Sequence, residues 1–265
     1  MTDPMKLEGK RVLIFGGTRK IGRAVGLAYA AAGARVAVTG RDPESGAAMV
    51  ADINAMGAPG EFIPCDITDY ASVEAAVTAT VQKVGGLDVM VQSAAGRTHE
   101  PQGFRPFSEI DPSEIAGYAH THWVSKAYCI KAALAPMIAQ NNGKMVIITS
   151  DSGRFPTQGE SLIGGGAAAT LLMVRTLSKE FARWKINING LAISITDTGE
   201  RATGDSPSGY GARPEFAAKM FEKLAKRQIM HVEGKHVAGA ALYLGSELCD
   251  ATTGQILSVN GGIAV

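Results

Sequence analysis

Phe15-Gly16-Gly17-Thr18-Arg19-Lys20-Ile21-Gly22 is the stretch on which the fold turns. It follows a short apolar run, Arg11–Phe15, and leads into an Ala-rich helical stretch at 21–32 that Gly33 closes. A strand that ends in glycines and reopens as a helix turns tightly and aims helix-start amides at an anion, while glycine lets that anion approach the backbone. Alone, such a turn is a weak sign; its place between a β-run and a helix strengthens it. Working outward, a β-branched run at 35–39 is followed by a helix over 43–56, and further strands fall at 61–64, 87–91, 144–149, 186–192 and 255–259. Strands alternating with helices predict βαβ units: a doubly wound parallel sheet in a Rossmann-like α/β domain with helices on both faces. One domain spans 1–265, with a nucleotide half (1–150) and a substrate and assembly half (151–265). Residues 197–213, rich in Gly, Ser, Thr and Pro before a helix at 214–225, read as a substrate lid reaching to about 228.

Composition narrows the function classes. The chain has 265 residues, 46% of them hydrophobic, with 26 basic against 25 acidic side chains for a net charge of +1. That balance offers no electrostatic footprint for nucleic acid or an anionic membrane. Cys65, Cys129 and Cys249 are odd in number and lack ligand spacing, so they read as reduced thiols and not as a metal site. No apolar signal core opens the chain, and no run approaches the ~18 apolar residues of a membrane span, which predicts a cytoplasmic protein.

The second strand ends Thr39-Gly40-Arg41-Asp42. A cation there suits the 2′-phosphate of NADP, and an acid suits the ribose hydroxyls of NAD. Arg41, helped by Arg19, favours NADP(H), with Asp42 the competing signal. Farther on come Cys65-Asp66-Ile67-Thr68-Asp69, Ser93-Ala94-Ala95-Gly96, Thr253-Gly254-Gln255-Ile256 and Val259-Asn260-Gly261-Gly262. In this order the motifs resemble those of the short-chain dehydrogenase/reductase family over 7–263. Gly16 and Gly22 match the outer glycines of its T-G-x-x-x-G-x-G turn; Phe15 replaces the Thr and Lys20 the middle Gly. Reductases similar to pteridine reductase carry a basic residue there and use NADPH. The resemblance implies cofactor contacts from Gly16, Thr18, Arg19, Lys20, Ile21, Gly22, Arg41, Asp66 and Ile67, with Asp66 toward the adenine. It implies further contacts from Ala94, Ala95 and Gly96, and from Thr198 at the nicotinamide end, although the family's Pro-Gly before that Thr reads Ile193-Ser194 here.

The family moves protons with Asn, Ser, Tyr and Lys. Counting from Lys179-Glu180 and from Ser150 places the Tyr position at Ile163 and the Lys position at Ala167; counting from Pro136-Met137 places the Asn position at His122. Ser150 is retained, His122 is a polar replacement, and two hydrocarbons stand where the acid and its ammonium belong. Tyr118, His120, Lys126, Asp151 and Ser152 are other polar residues of the neighbourhood, and Ser150 and His122 are the catalytic candidates. General acid/base groups contribute roughly 10²–10⁴-fold and fail as a unit, so ordinary carbonyl–alcohol redox is expected to be slow. The resemblance without its acid points first to a silent subunit of an oligomeric NAD(P)-dependent oxidoreductase, a dimer or tetramer paired with itself or an active relative, which keeps an NADP(H) site that is either still binding or vestigial. The alternative is an enzyme of other chemistry on an unknown small molecule: NADPH-dependent reduction of an activated double bond, or a lyase, isomerase or cyclase step using His122 and Ser150. A sensor of cofactor occupancy is a third reading. Gly164-Gly165-Gly166, each costing ~1 kcal/mol against Ala in a helix, are expected to admit a close helix of a neighbouring subunit, or else a wider pocket.

Overall fold

The computed structural model describes residues 4–95, 104–199 and 214–263. Gly96 and residues 200–213, the middle of the expected lid, lie outside them. The elements run β1 (Arg11–Phe15), α1 (Lys20–Ala31), β2 (Arg35–Gly40), α2 (Pro43–Ala55), β3 (Gly60–Pro64), α3 (Tyr70–Val84) and β4 (Val89–Gln92). Then come α4 (Ile115–Ala119), a π-turn (His120–Val124), α5 (Ser125–Gln140), β5 (Gly143–Ser150), α6 (Ser161–Phe181), β6 (Ile186–Ile193), α7 (Pro214–Arg227), α8 (Gly234–Gly245) and β7 (Ile256–Val259). All strand pairs are parallel, in a seven-stranded sheet ordered β3-β2-β1-β4-β5-β6-β7. The order reverses between β1 and β4, the place where open α/β sheets hold ligands beyond their carboxyl ends.

Successive side chains of a strand point to opposite faces, so a sheet buried on both sides needs continuous apolar strands. In β1, Val12 and Ile14 pack with Val25 and Tyr29 of α1, Met49 of α2, and Val237 and Ala241 of α8. Leu13 and Phe15 join Val73 of α3, Cys129 and Met137 of α5, and Val174 of α6 on the other face. All these residues are at most 1% exposed, so one strand serves two cores.

Ser161–Trp184 is, by length and composition, apolar enough to cross a membrane, a stretch the sequence reading passed over. In the fold it lies across the sheet, burying Leu171, Val174, Ser178 and Phe181, because the central helix of a doubly wound domain meets the same apolar requirement.

Candidate active site

The glycine turn is held to the sheet by its backbone. The N–H groups of Gly16 and Gly17 both donate to the Thr39 carbonyl at 3.1 Å. Gly16 has φ +76°, and a Cβ on it would lie 2.8 Å from Ala94; a Cβ on Gly22 would overlap the Gly16 carbonyl oxygen. Lys20, where the family turn has glycine, takes a left-handed φ of +50°, so the backbone keeps the glycine shape despite the side chain. The first turn of α1 carries no acidic residue, and its cap, Arg19, makes no side-chain hydrogen bond to the helix amides. These unopposed amides and the Cβ-free floor fit a diphosphate.

The rim differs from the sequence expectation. Arg19 donates to Asp42 at 2.5 Å and to Ser45 at 2.8 Å, and Asp42 also accepts from the Ser45 hydroxyl and the Glu44 N–H. Asp42 is thus the cap of α2, tied to Arg19, because the short acidic side chain folds back onto its own helix start. Arg41 is exposed and feels the Asp66 carboxylate. Asp66 accepts from the Thr68 N–H at 2.9 Å and its hydroxyl at 2.7 Å. Ile67 is buried in the α3–α5 core, so its side chain is a packing residue and its backbone alone is available to a ligand. Ala94 packs beside Gly16, Ala95 is exposed, and Thr198 is partly exposed after β6.

At the carboxyl end of β5, Ser150 and Ser152 form a hydroxyl pair with oxygens 2.8 Å apart, and the Ser152 N–H donates to Ser150 Oγ at 3.2 Å. Asp151 turns away to Arg154 at 2.5 Å. Ile163 and Ala167 are 7% and 2% exposed, so the positions expected for the phenol and amine are buried hydrocarbon. His122 lies on the π-turn, stacked on Tyr118 at 6.3 Å, and its Nε2 is buried without a hydrogen-bond partner among the described residues. Burial, reinforced by Lys126, holds its imidazole neutral, down to about 4. Lys126 lies beneath, donating to Gln92 Oε1 at 3.0 Å and the Ile148 carbonyl at 2.8 Å. No group of three or more His, Cys, Asp or Glu fit to hold a metal occurs among the described residues.

The glycine triplet answers mostly to this chain itself. A Cβ on Gly164 would come 2.8 Å from the Ser152 carbonyl, and one on Gly166 would come 2.6 Å from His122 Cβ. Gly165 alone faces open space. The expected neighbour helix is therefore replaced, at two of the three positions, by the β5 turn and the π-turn.

Sequence reasoning passed over Glu160. It stands one residue ahead of α6, partly buried, and burial pushes its carboxyl up to about 7. An acid three residues before Ile163 and eight after Ser152 was the available signal, but only the fold sets those positions together.

The profile of short chain dehydrogenases matches residues 10–207. The chain belongs to the short chain dehydrogenase family. It is 30% identical over 269 residues to a 2,5-dichloro-2,5-cyclohexadiene-1,4-diol dehydrogenase of Sphingobium indicum, covering 98% of each chain. It is 26% identical over 264 residues to the 7alpha-hydroxysteroid dehydrogenase of Escherichia coli K12, covering 98% of this chain and 96% of the relative. A gluconate 5-dehydrogenase from Burkholderia cenocepacia, solved with NADP and tartrate, superposes with TM-score 0.84 at 24% identity and 99% coverage of both chains, a likeness of fold. In this member of the family the sheet order reverses between β1 and β4, and residues 163 and 167 are Ile and Ala.

Proposed function

We propose that this chain binds NADP(H) and uses it to reduce an activated carbonyl or carbon–carbon double bond of a small molecule, with Ser150 in place of the usual tyrosine at the substrate oxygen. The observation that carries the reading is the hydroxyl pair: Ser150 Oγ accepts both the N–H and the O–H of Ser152, which leaves its own hydrogen to donate to a substrate. The diphosphate would rest on the turn from Gly16 to Gly22, the adenine beside Asp66, and the 2′-phosphate against Arg41. Asp42 is spent on Arg19 and Ser45, which leaves Arg41 to set the preference. When bound, the reduced nicotinamide supplies two electrons and a hydrogen to carbon; the chain supplies binding, orientation and the proton.

Calorimetric titration of the purified chain with NADPH and NADH tests the cofactor. NADPH is expected to bind at least about 10-fold more tightly, and Arg41→Ala to erase that margin through loss of one charge-assisted phosphate contact of roughly 1.5–3 kcal/mol. Equal affinities in the unaltered chain overturn the NADP assignment.

A second reading keeps the fold and drops the chemistry: a silent subunit that binds cofactor and assembles with itself or an active relative. The buried Ile163 and Ala167 favour it. In either case we propose assembly through the outer face of α6, where Gly165, Ala168 and Leu172 are exposed. NADPH oxidation by the pure chain separates the two readings.

A further inference from the structure

We propose that Lys126 is the buried cation that makes this crevice hold the reduced nicotinamide cofactor more tightly than the oxidised one. The proposal rests on the reading above, that the chain binds NADP(H), and adds which redox form it favours and why.

The amine stands where the two halves of the crevice meet. Lys126 lies in the first turn of α5, and its Nζ donates to Gln92 Oε1 at 3.0 Å and to the Ile148 carbonyl at 2.8 Å. Gln92 ends β4, pairing with Phe15 of β1 on one side and Ile147 of β5 on the other, so it sits at the reversal of strand order. Its Nε2 donates to the Ala94 carbonyl at 2.7 Å, and Ala94 is the residue that packs beside Gly16 of the glycine turn. Two residues beyond Ile148 stands Ser150. The amine is thus tied through one side chain to the cofactor floor, and through one strand to the hydroxyl pair.

Its charge is not cancelled. Both partners are neutral oxygens, and no carboxylate pairs with Lys126 among the described residues. On the π-turn, burial and then the Lys126 charge hold His122 neutral, down to about 4, and His120 turns to the Thr68 carbonyl at 3.0 Å. On α5, burial pushes the Cys129 thiol well up; Cys65, after β3, is pushed up to about 11. Val73, Ala76 and Val77 of α3, in the same core, carry no charge. Gln92 and Lys126 are 0% and 6% exposed, where an apolar pair of similar volume would pack at lower cost. A role toward a ligand gives that cost a reason. The rim cations Arg19 and Arg41 are exposed and screened by water and salt, whereas a buried charge is screened much less.

The oxidised nicotinamide ring is a cation and the reduced ring is neutral, so the reduced cofactor carries one more unit of negative charge. A fixed positive charge at the base of the crevice repels the oxidised ring and leaves the reduced ring unopposed. At an effective dielectric of about 20, a unit charge within roughly 10 Å of another changes a binding constant about tenfold. Burial pushes the amine down to about 8. The preference for the reduced form is therefore full below that value and fades as pH rises through it.

The test is calorimetric titration of the full chain with NADPH and, separately, with NADP+, at about pH 7 and about pH 9.5. NADPH is expected to bind roughly tenfold or more tightly at the lower pH, and the ratio of the two affinities to fall about tenfold at the higher. Lys126→Met, whose fold is checked by circular dichroism, should show a ratio about tenfold smaller near pH 7 and level across the range. Arg41→Ala should weaken both forms alike and leave the ratio in place. An unchanged ratio in folded Lys126→Met overturns the proposal. So does a pH-independent ratio in the unaltered chain, a measurement that needs no variant, or NADP+ binding as tightly as NADPH near pH 7. In each of those cases both forms bind and the cofactor reading stands. Binding of neither form removes that reading, and this inference with it.

Discussion

At Lys126 an amine sits where helix and sheet meet, 6% exposed, with two oxygens as its partners. Burial pushes it from 10.5 down to about 8. As pH falls, the unfolded chain takes up this proton near 10.5, and the folded protein only near 8. Between those values stability therefore declines as pH is lowered, by about 3 kcal/mol in all, and below them the deficit is constant. Chemical denaturation across pH 7.5 to 11 should show this slope, and Lys126→Met should remove it. Parallel slopes in the two proteins would place this amine in water. The sequence named Lys126 only as a polar residue near the site, because burial and partners are tertiary facts. His122 shows the same limit: counting placed it at a catalytic position, and packing against Tyr118 and Gly166 makes it neutral and enclosed.

Among the elements, α6 carries the sharpest contrast within one motif. Gly166→Ala would set a methyl 2.6 Å from His122 Cβ, closer than real Cβ atoms come, and is expected to cost about 1–3 kcal/mol. Gly165→Ala meets nothing within 4 Å and should gain up to ~1 kcal/mol of helix propensity. Urea unfolding of the two single variants checks both signs at once; a destabilised Gly165→Ala would show that this position is already covered. Three consecutive glycines look alike in the sequence. They part company only when the β5 turn and the π-turn arrive on one side of the helix and solvent on the other. The glycine turn after β1 behaves differently: its shape follows from strand, glycines and helix in direct succession, and its motif was legible as such.

For the whole molecule, assembly is the open property that the surface addresses. Leu172 is 65% exposed on the outer face of α6, in line with Gly165 and Ala168. Sedimentation is expected to find a dimer or tetramer, and Leu172→Glu to shift it toward monomer by burying an unpaired carboxylate at the contact. A monomeric parent chain would rule this face out. The parallel sheet, its two faces and the family were determined by the sequence alone, because apolar strands alternating with helices have few ways to bury both sides, and because the glycine, Asp66 and Thr253–Ile256 motifs occur at fixed intervals along the chain. That Ile163 and Ala167 stand thirteen and seventeen residues after Ser150 was likewise a matter of counting. What only the tertiary structure decided was which polar groups meet. Arg19 pairs with Asp42, Ser152 donates to Ser150, and Gly164 admits the Ser152 carbonyl beside α6. Hydrogen bonds act over about 3 Å, so partners from different elements are fixed by how those elements pack and leave no spacing rule in the chain.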